Sequence, residues 1–438
     1  MKKQTQIRLK EHFCSKNQKG ITLVALVITI IILLILAGIT ISSLTQTGLF
    51  AKANEAKEKT EAARREENEL LNEFIEEMDE VVGGSGGTTG EAGKTDSNKN
   101  RTLSDATTGY TYKNPVIPQG FKAVDTAGAK WEYIDAEKTT VRGWDEGLVI
   151  EDVYNQNQFV WVPCTTSATT DTVAYAKDFS LPSYYSATSS NTSDATDSTT
   201  IDSVTYNVIP VTESTQIGTY KGFYVARYEA GLPTETTSQS DTLNNVYTNI
   251  PVSKAGSKIW NYVDYTHSYV AANKMISDTT KYGNNKSGLI TGTQWDTIMA
   301  WYKKAGIGVE GTTQNWGTYR DVTYGGTGLY FTYNGSSVSS WQNGSFSHTG
   351  NNLETATEAE PRHYHASGLN SGGIKKNIAD LGGNVWEWIA EMYTSSNHVH
   401  RGGGADYSVS GYPAGYRISN RTGITVYDLG FRSVLYIQ

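Results

Sequence analysis

Two histidine pairs in the chain are spaced for chelation: His363 with His365, and His398 with His400. Residues two apart on a strand point to the same face, so each pair could grip a metal ion from one side. The preferred reading of the same four residues is exposed loop histidines with no ligand. A second candidate is Glu387 with three downstream arginines, Arg401, Arg417 and Arg432. A carboxylate beside a guanidinium can do acid–base work, and it can also be a buried ion pair that braces a core. The third candidate is a binding surface. Asp406, Tyr407, Ser408, Tyr412, Tyr416, Ser419, Asn420, Thr422, Thr425, Tyr427 and Asp428 fall within one short stretch. Tyrosines supply rigid, amphipathic contact area and short polar side chains supply adaptable hydrogen bonds, the mixture that dominates antibody paratopes. The tyrosines can also be core residues, and that is the reading for Tyr436 in the last strand.

The composition excludes several classes of function. The chain has 438 residues with only 2 Cys, 28 Tyr, 43 Gly and a formal net charge of -8. Two cysteines cannot build a disulfide scaffold or a Cys-rich zinc or iron–sulfur site. The negative balance argues against nucleic acid as a partner, and no basic patch stands out.

The elements that must position these residues can be read along the chain. Phe159, Val160, Trp161 and Val162, and again Phe223 to Tyr228, are β-branched and aromatic, as strands require. Asp264 precedes Tyr265, Tyr269, Ala272 and Ile276 at helical period, so it is a candidate N-cap. Thr293, with Asp296 three residues on, precedes Trp295, Ile298, Met299 and Tyr302 and is close to a capping box. Segments 165–215 and 307–350 are rich in Ser, Thr, Gly and Asn and read as long insertions or irregular loops. Together these features predict an α+β domain over 106–438.

The N-terminal end differs in kind. Residues 1–20 form a basic leader, and Ile21 to Ala51 carries no charge. An apolar run over 21–45 is long enough to span a bilayer as a helix, with the basic side in the cytoplasm. Residues 46–82 read as a charged stalk helix, and 83–105 as a Gly/Ser-rich linker. Lys19, Gly20, Ile21, Thr22 and Leu23 resemble a type IV prepilin leader, which implies cleavage between Gly20 and Ile21. The family's Glu at the fifth residue after the cut is Ala25 here, which leaves filament assembly in doubt.

The most specific stretch runs from Asp380 through Gly382, Gly383, Asn384, Val385, Trp386 and Glu387 to Trp388. Period-2 alternation places both tryptophans on one face of a strand. Downstream come Arg401, Arg417, Phe431 and Arg432. Together these resemble the formylglycine-generating (sulfatase-modifying factor) family, whose core is a C-type-lectin fold. That family's oxidase chemistry uses a cysteine pair for copper; here Cys14 lies in the leader and Cys164 is alone. A related branch uses histidine-bound iron, which the two His pairs could imitate. The chain is also similar to the variable proteins of diversity-generating retroelements, which use the same fold and end in Gly-Phe-Arg plus a last strand. Adenine mutagenesis of Asn-type codons in such proteins cannot yield Lys, Glu, Gln, Met or Trp. None of these occurs from Tyr393 to Ile437, although 178–212 lacks them too.

The resemblance implies Gly383, Asn384, Trp386, Glu387, Trp388, Arg401, Arg417, Phe431 and Arg432 as the structural motif, with a variable segment at 393–432. The expected protein is a membrane-anchored, outward-facing, non-catalytic binder on a bacterial surface. Its ligand would be an extracellular protein or glycan, and it needs no cofactor or metal. The alternatives are a minor pilin or pseudopilin with pilin-like assembly partners, and a metal-dependent oxidase.

Overall fold

The computed structural model describes residues 101–102, 110–126, 130–184, 192–232, 248–350 and 361–438. The chain divides into two units, Met1–Thr88 and Thr89–Gln438, and every described residue belongs to the second. The leader with its Gly20–Ile21 cleavage point, the apolar span, the stalk and most of the linker lie outside the described residues. Among the described residues, no helix is long and apolar enough to cross a membrane.

The domain is a mixed, sheet-rich fold with few helices. Its larger sheet runs Lys286–Leu289, Ser433–Tyr436, Gly222–Ala226, Gln158–Thr165, Val149–Asp152 and Phe121–Ala123, with Val173–Ala174 beside Gln158–Thr165. The central strands are buried on both faces. Val160, Val162, Phe223 and Val225 enter one cluster, with Trp295, Ile298 and Ile389. Phe159, Trp161, Tyr224 and Ala226 enter another on the opposite face. A strand that must fill two cores carries apolar residues at every position, which is why 159–162 and 223–226 read as strands from sequence.

The second sheet orders Ile418–Arg421, Asn397–Arg401, Trp386–Thr394 and Leu429–Phe431, with Ser193–Asp194 also on Trp386–Thr394. Trp386, Glu387 and Trp388 pair in parallel with Leu429, Gly430 and Phe431. The chain then passes at Arg432 from this sheet into Ser433–Tyr436 of the larger one. Arg432 is fully buried at the crossing and joins the two layers. It donates to Glu387 at 2.6, 3.0 and 3.2 Å, to the Ala226 carbonyl at 3.0 Å and to the Ala379 carbonyl at 2.9 Å. A buried charge is tolerable only when paired and hydrogen-bonded, and here both conditions hold.

Two expectations need correction. The helix Gly292–Lys304 is capped by Thr291, not Thr293. Thr291 Oγ1 accepts from the Gln294 amide, and Gln294 Oε1 accepts from the Thr291 amide at 3.0 Å. A glutamine closes the box as well as an acid does, which frees Thr293 to bond Asp194 and Asp296 to turn inward. Segment 307–350 is not irregular throughout. Tyr324–Tyr333 and Gln342–His348 form a three-stranded sheet with Arg362–His365. Only Tyr324, Phe331, Phe346 and His348 of the two longer strands are buried, so their polar composition hid the strand pattern. The expected cap of helix Tyr265–Met275 is present, with Asp264 Oδ1 accepting from the His267 amide at 2.8 Å.

Removing the Thr291 hydroxyl takes away one half of the box and a 2.8 Å bond to Glu213. Thr291→Ala is expected to cost about 1–2 kcal/mol in a urea melt. An unchanged midpoint would contradict the capping assignment.

Candidate binding site

The site begins at the turn before the Trp386–Thr394 strand. Asp380, Gly383 and Asn384 all adopt positive φ, at 55°, 79° and 65°. At Gly383 an added Cβ would collide with the Thr318 carbonyl oxygen. Asparagine tolerates this backbone region, and its amide satisfies what the turn buries. Asn384 Nδ2 donates to Glu229 Oε2 at 2.7 Å and to the His365 carbonyl at 3.1 Å. Its Oδ1 accepts from the His365 amide at 3.0 Å. Burial pushes the Glu229 carboxyl well above the usual carboxylate range, and the neighbouring Asp380 and Glu387 charges add to this.

The strand that leaves this turn alternates as the spacing predicts. Trp386, Trp388 and Ala390 share one cluster, and Ile389 lies in another. Trp388 Nε1 donates to the Val263 carbonyl at 3.0 Å. Trp386 carries three tyrosines edge-on. The rings of Tyr407, Tyr412 and Tyr416 lie 5.4, 5.8 and 6.4 Å from it. Tyr412 touches both of the others, at 4.9 and 5.0 Å. All three are half-buried.

The stretch bearing these rings is held mainly through its backbone. The Ala405 amide donates to the Asn384 carbonyl, the Arg320 amide to the Tyr407 carbonyl, and the Gly415 amide to the Val309 carbonyl. Val409 N donates to Asp321 at 2.7 Å, Ala414 N to Gln314 at 2.9 Å, and Trp295 Nε1 to the Ala414 carbonyl at 3.0 Å.

Beside the rings lies an acidic pair, the half-buried Asp406 and the buried Asp428. Asp406 accepts from the hydroxyls of Tyr364 at 2.7 Å and Tyr427 at 3.2 Å. Burial raises the Asp406 carboxyl. It pushes Asp428 up to about 7, with the Asp406 charge adding. Asp428 is only 7% exposed, so it supports the surface from behind and is not one of its exposed contacts. The Tyr427 ring packs tilted against Tyr333, with centroids 4.7 Å apart.

The structure therefore brings together Asp406, Tyr407, Tyr412, Tyr416, Tyr427 and Asp428. Ser408 sits nearby in a tight turn, its Oγ accepting from the Gly411 amide at 3.3 Å. Ser419 and Asn420 lie on the edge strand Ile418–Arg421, opposite Val399 and His398. Thr422 follows that strand, bonded to the Ser396 carbonyl at 3.0 Å. These three stand toward the 394–397 turn rather than in the tyrosine cluster. Thr425 is half-buried in the loop before Tyr427.

The other candidates resolve separately. Glu387 pairs with Arg432 alone among the three arginines; Arg401 and Arg417 go to Asp296 and Glu391. Phe431 packs on Trp260 at 5.8 Å. The histidines are engaged one by one rather than converging on open space. His365 Nε2 is 2.9 Å from Thr318 Oγ1, and the half-buried His363 lies over Phe346. His398 stacks on Tyr265 at 3.6 Å, with Nε2 3.0 Å from Asp197. His400 lies edge-on to Trp386 and Trp388, and burial lowers its ring to about 3. Among the described residues, no group of three His, Cys, Asp or Glu is placed to hold a metal ion. Cys164 is buried in the core, and burial pushes its thiol up.

Two aromatic residues beside the surface were missed from sequence. Phe179 and Tyr184 are 42% and 70% exposed. The Phe179 ring lies 5.5 Å from the Arg417 guanidinium, and the Tyr184 amide donates to the Arg417 carbonyl at 2.9 Å. The only signal was that 178–212 shares the composition of the C-terminal stretch.

No protein-family model matches the chain, and no curated protein matches it. Among solved structures it is similar to Treponema denticola variable protein 1, at 14% identity over 54% of this chain and 98% of that one, with a TM-score of 0.27. It is also similar to CarF, at 11% identity over 56% of this chain and 97% of that one, with a TM-score of 0.28.

Asp428 makes stability fall with pH. Its folded carboxyl titrates at about 7 against an ordinary 3.8, so its neutral form favours the fold at low pH and that contribution is lost as pH rises through about 7. Asp428→Asn is expected to match the wild type in urea melts at pH 4 and to exceed it at pH 8. The same difference at both pH values would contradict the buried assignment.

Proposed function

We propose that the chain is a non-catalytic, ligand-binding protein of the variable-protein type, built on a C-type-lectin-like domain. The observation that carries this reading is the half-buried cluster of Tyr407, Tyr412 and Tyr416 on Trp386. All three tyrosines come from a stretch that lacks Lys, Glu, Gln, Met and Trp. Half-buried tyrosines held by a rigid base offer contact area at low entropic cost, because their rings are already ordered before a ligand arrives. The Gly383–Trp388 turn, the Arg432 crossing and the terminal strand are the places where the sequence resembles the variable proteins. The hydrogen bonds of His365 and His398 and the packing of His400 against Trp386 and Trp388 support a binding role over an oxidase.

In this reading the apolar segment over 21–45 anchors the chain in a membrane, and the stalk and linker carry the domain outward on a bacterial surface. The partner is an extracellular protein or glycan. Pilin-like assembly is the lesser reading, since Ala25 stands where the pilin carboxylate would be.

The test is a display experiment. Cells carrying the full chain are assayed for attachment to an array of host-surface proteins and glycans. Permuting the exposed side chains of 404–428 is expected to abolish or redirect every attachment seen with the wild type. Attachment that survives the permutation unchanged would overturn the assignment.

A further inference from the structure

Asp296 lies on the helix Gly292–Lys304 and is fully buried. Its two carboxylate oxygens each take one arginine. Oδ1 accepts from Arg401 Nη2 at 2.8 Å, and Oδ2 accepts from Arg417 Nη2 at 2.7 Å. These arginines immediately flank the stretch 402–416, which carries Tyr407, Tyr412 and Tyr416. Arg401 Nη2 also donates to the Gly415 carbonyl at 3.0 Å, so the two ends are bonded to each other as well. Oδ2 accepts in addition from the Asp178 amide at 3.0 Å, at the start of the segment that presents Phe179 and Tyr184. Glu391 is the second acid, 3.0 Å from Arg417 Nε and 3.7 Å from Arg401 Nη1, with Lys177 at 2.8 Å.

We infer that Asp296 is a positioning residue for the candidate binding surface: one carboxylate ties both ends of 402–416 and the start of 178–184 to a single point inside the domain. The inference rests on the binding role proposed for that stretch, yet its test needs no ligand. Neither arginine can withdraw without stranding a buried charge, so each end is held to Asp296 by its own arginine. Fixing the ends also removes most of the freedom a loop of this length would otherwise have. Asp296 has no exposed surface and acts only through the arginines.

Hydrogen exchange on the full-length chain tests this. Asp296→Asn keeps the shape but replaces one acceptor with an amide that faces a guanidinium. Amides of 402–416 are expected to exchange at least about tenfold faster, while those of Gln158–Thr165 and Gly222–Ala226 stay as in the wild type. Val162→Ala, a cavity in the larger sheet, is the control and should speed all regions alike. If Asp296→Asn does not fold, Arg417→Lys loosens one end only. It should speed 409–416 and leave 403–405 unchanged. Unchanged exchange in 402–416, or an increase spread evenly over the domain, overturns the inference. Because the readout is local exchange, its failure would leave the binding proposal standing, and loss of binding would leave the positioning role of Asp296 standing.

Discussion

The whole arrangement depends on keeping one buried charge satisfied where the chain changes sheets. Arg432 sits between Leu429–Phe431, paired in one sheet, and Ser433–Tyr436, paired in the other. Glu387 neutralises it from the strand that starts at the Trp386 motif, and the carbonyls of Ala226 and Ala379 take its remaining donors. Stranding one member of such a pair costs about 3–5 kcal/mol, a large share of the 5–15 kcal/mol that holds a typical domain together. The two layers therefore cannot slide independently. The turn at Asp380–Asn384, the strand Trp386–Thr394 and the C-terminal strand are fixed relative to each other.

From that fixed frame the surface follows by short steps. Glu387 faces inward toward Arg432, so alternation turns Trp386 to the other side, where it becomes the floor under Tyr407, Tyr412 and Tyr416. Asn384 sets the turn and also accepts nothing from solvent: each of its amide groups is spent on Glu229 or His365. The stretch above the floor is anchored by bonds to its main chain from Asn384, Arg320, Asp321, Gln314 and Val309. Those anchors do not depend on which side chains the stretch carries. A surface whose backbone is held from outside can present different side chains at the same places.

How much of this was legible in the sequence depended on how local the signal was. The central strands could be read because two-sided burial writes apolar residues at every position. Alternation around Trp386 and the Asp264 cap are likewise local. The partner of Glu387 was not local: Arg401 lies directly across the strand pair from it, but its guanidinium turns to Asp296. Spacing places a backbone, not the end of a long side chain. Thr293 and Asp296 imitated a capping box, and Thr291 with Gln294 formed the real one. The histidine pairs had the right spacing for chelation, yet neighbours from distant segments claimed one ring of each pair, Thr318 that of His365 and Asp197 with Tyr265 that of His398. Asp428 looked like a polar loop residue, and its burial arises from contacts that only the folded chain makes. Phe179 and Tyr184 were hidden because a surface assembled from two separate segments leaves no continuous pattern.

The most direct test of the proposed role is to sequence the coding segment for 393–432 across many isolates, beside the corresponding template repeat. Differences are expected only at adenines of the template, and the altered codons should concentrate at surface positions such as Tyr407, Ser408, Tyr412 and Tyr416. Arg401, Arg417, Phe431 and Arg432 should stay constant. Substitutions spread evenly over all four bases and over buried and exposed positions alike, or no template at all, would contradict the variable-protein reading.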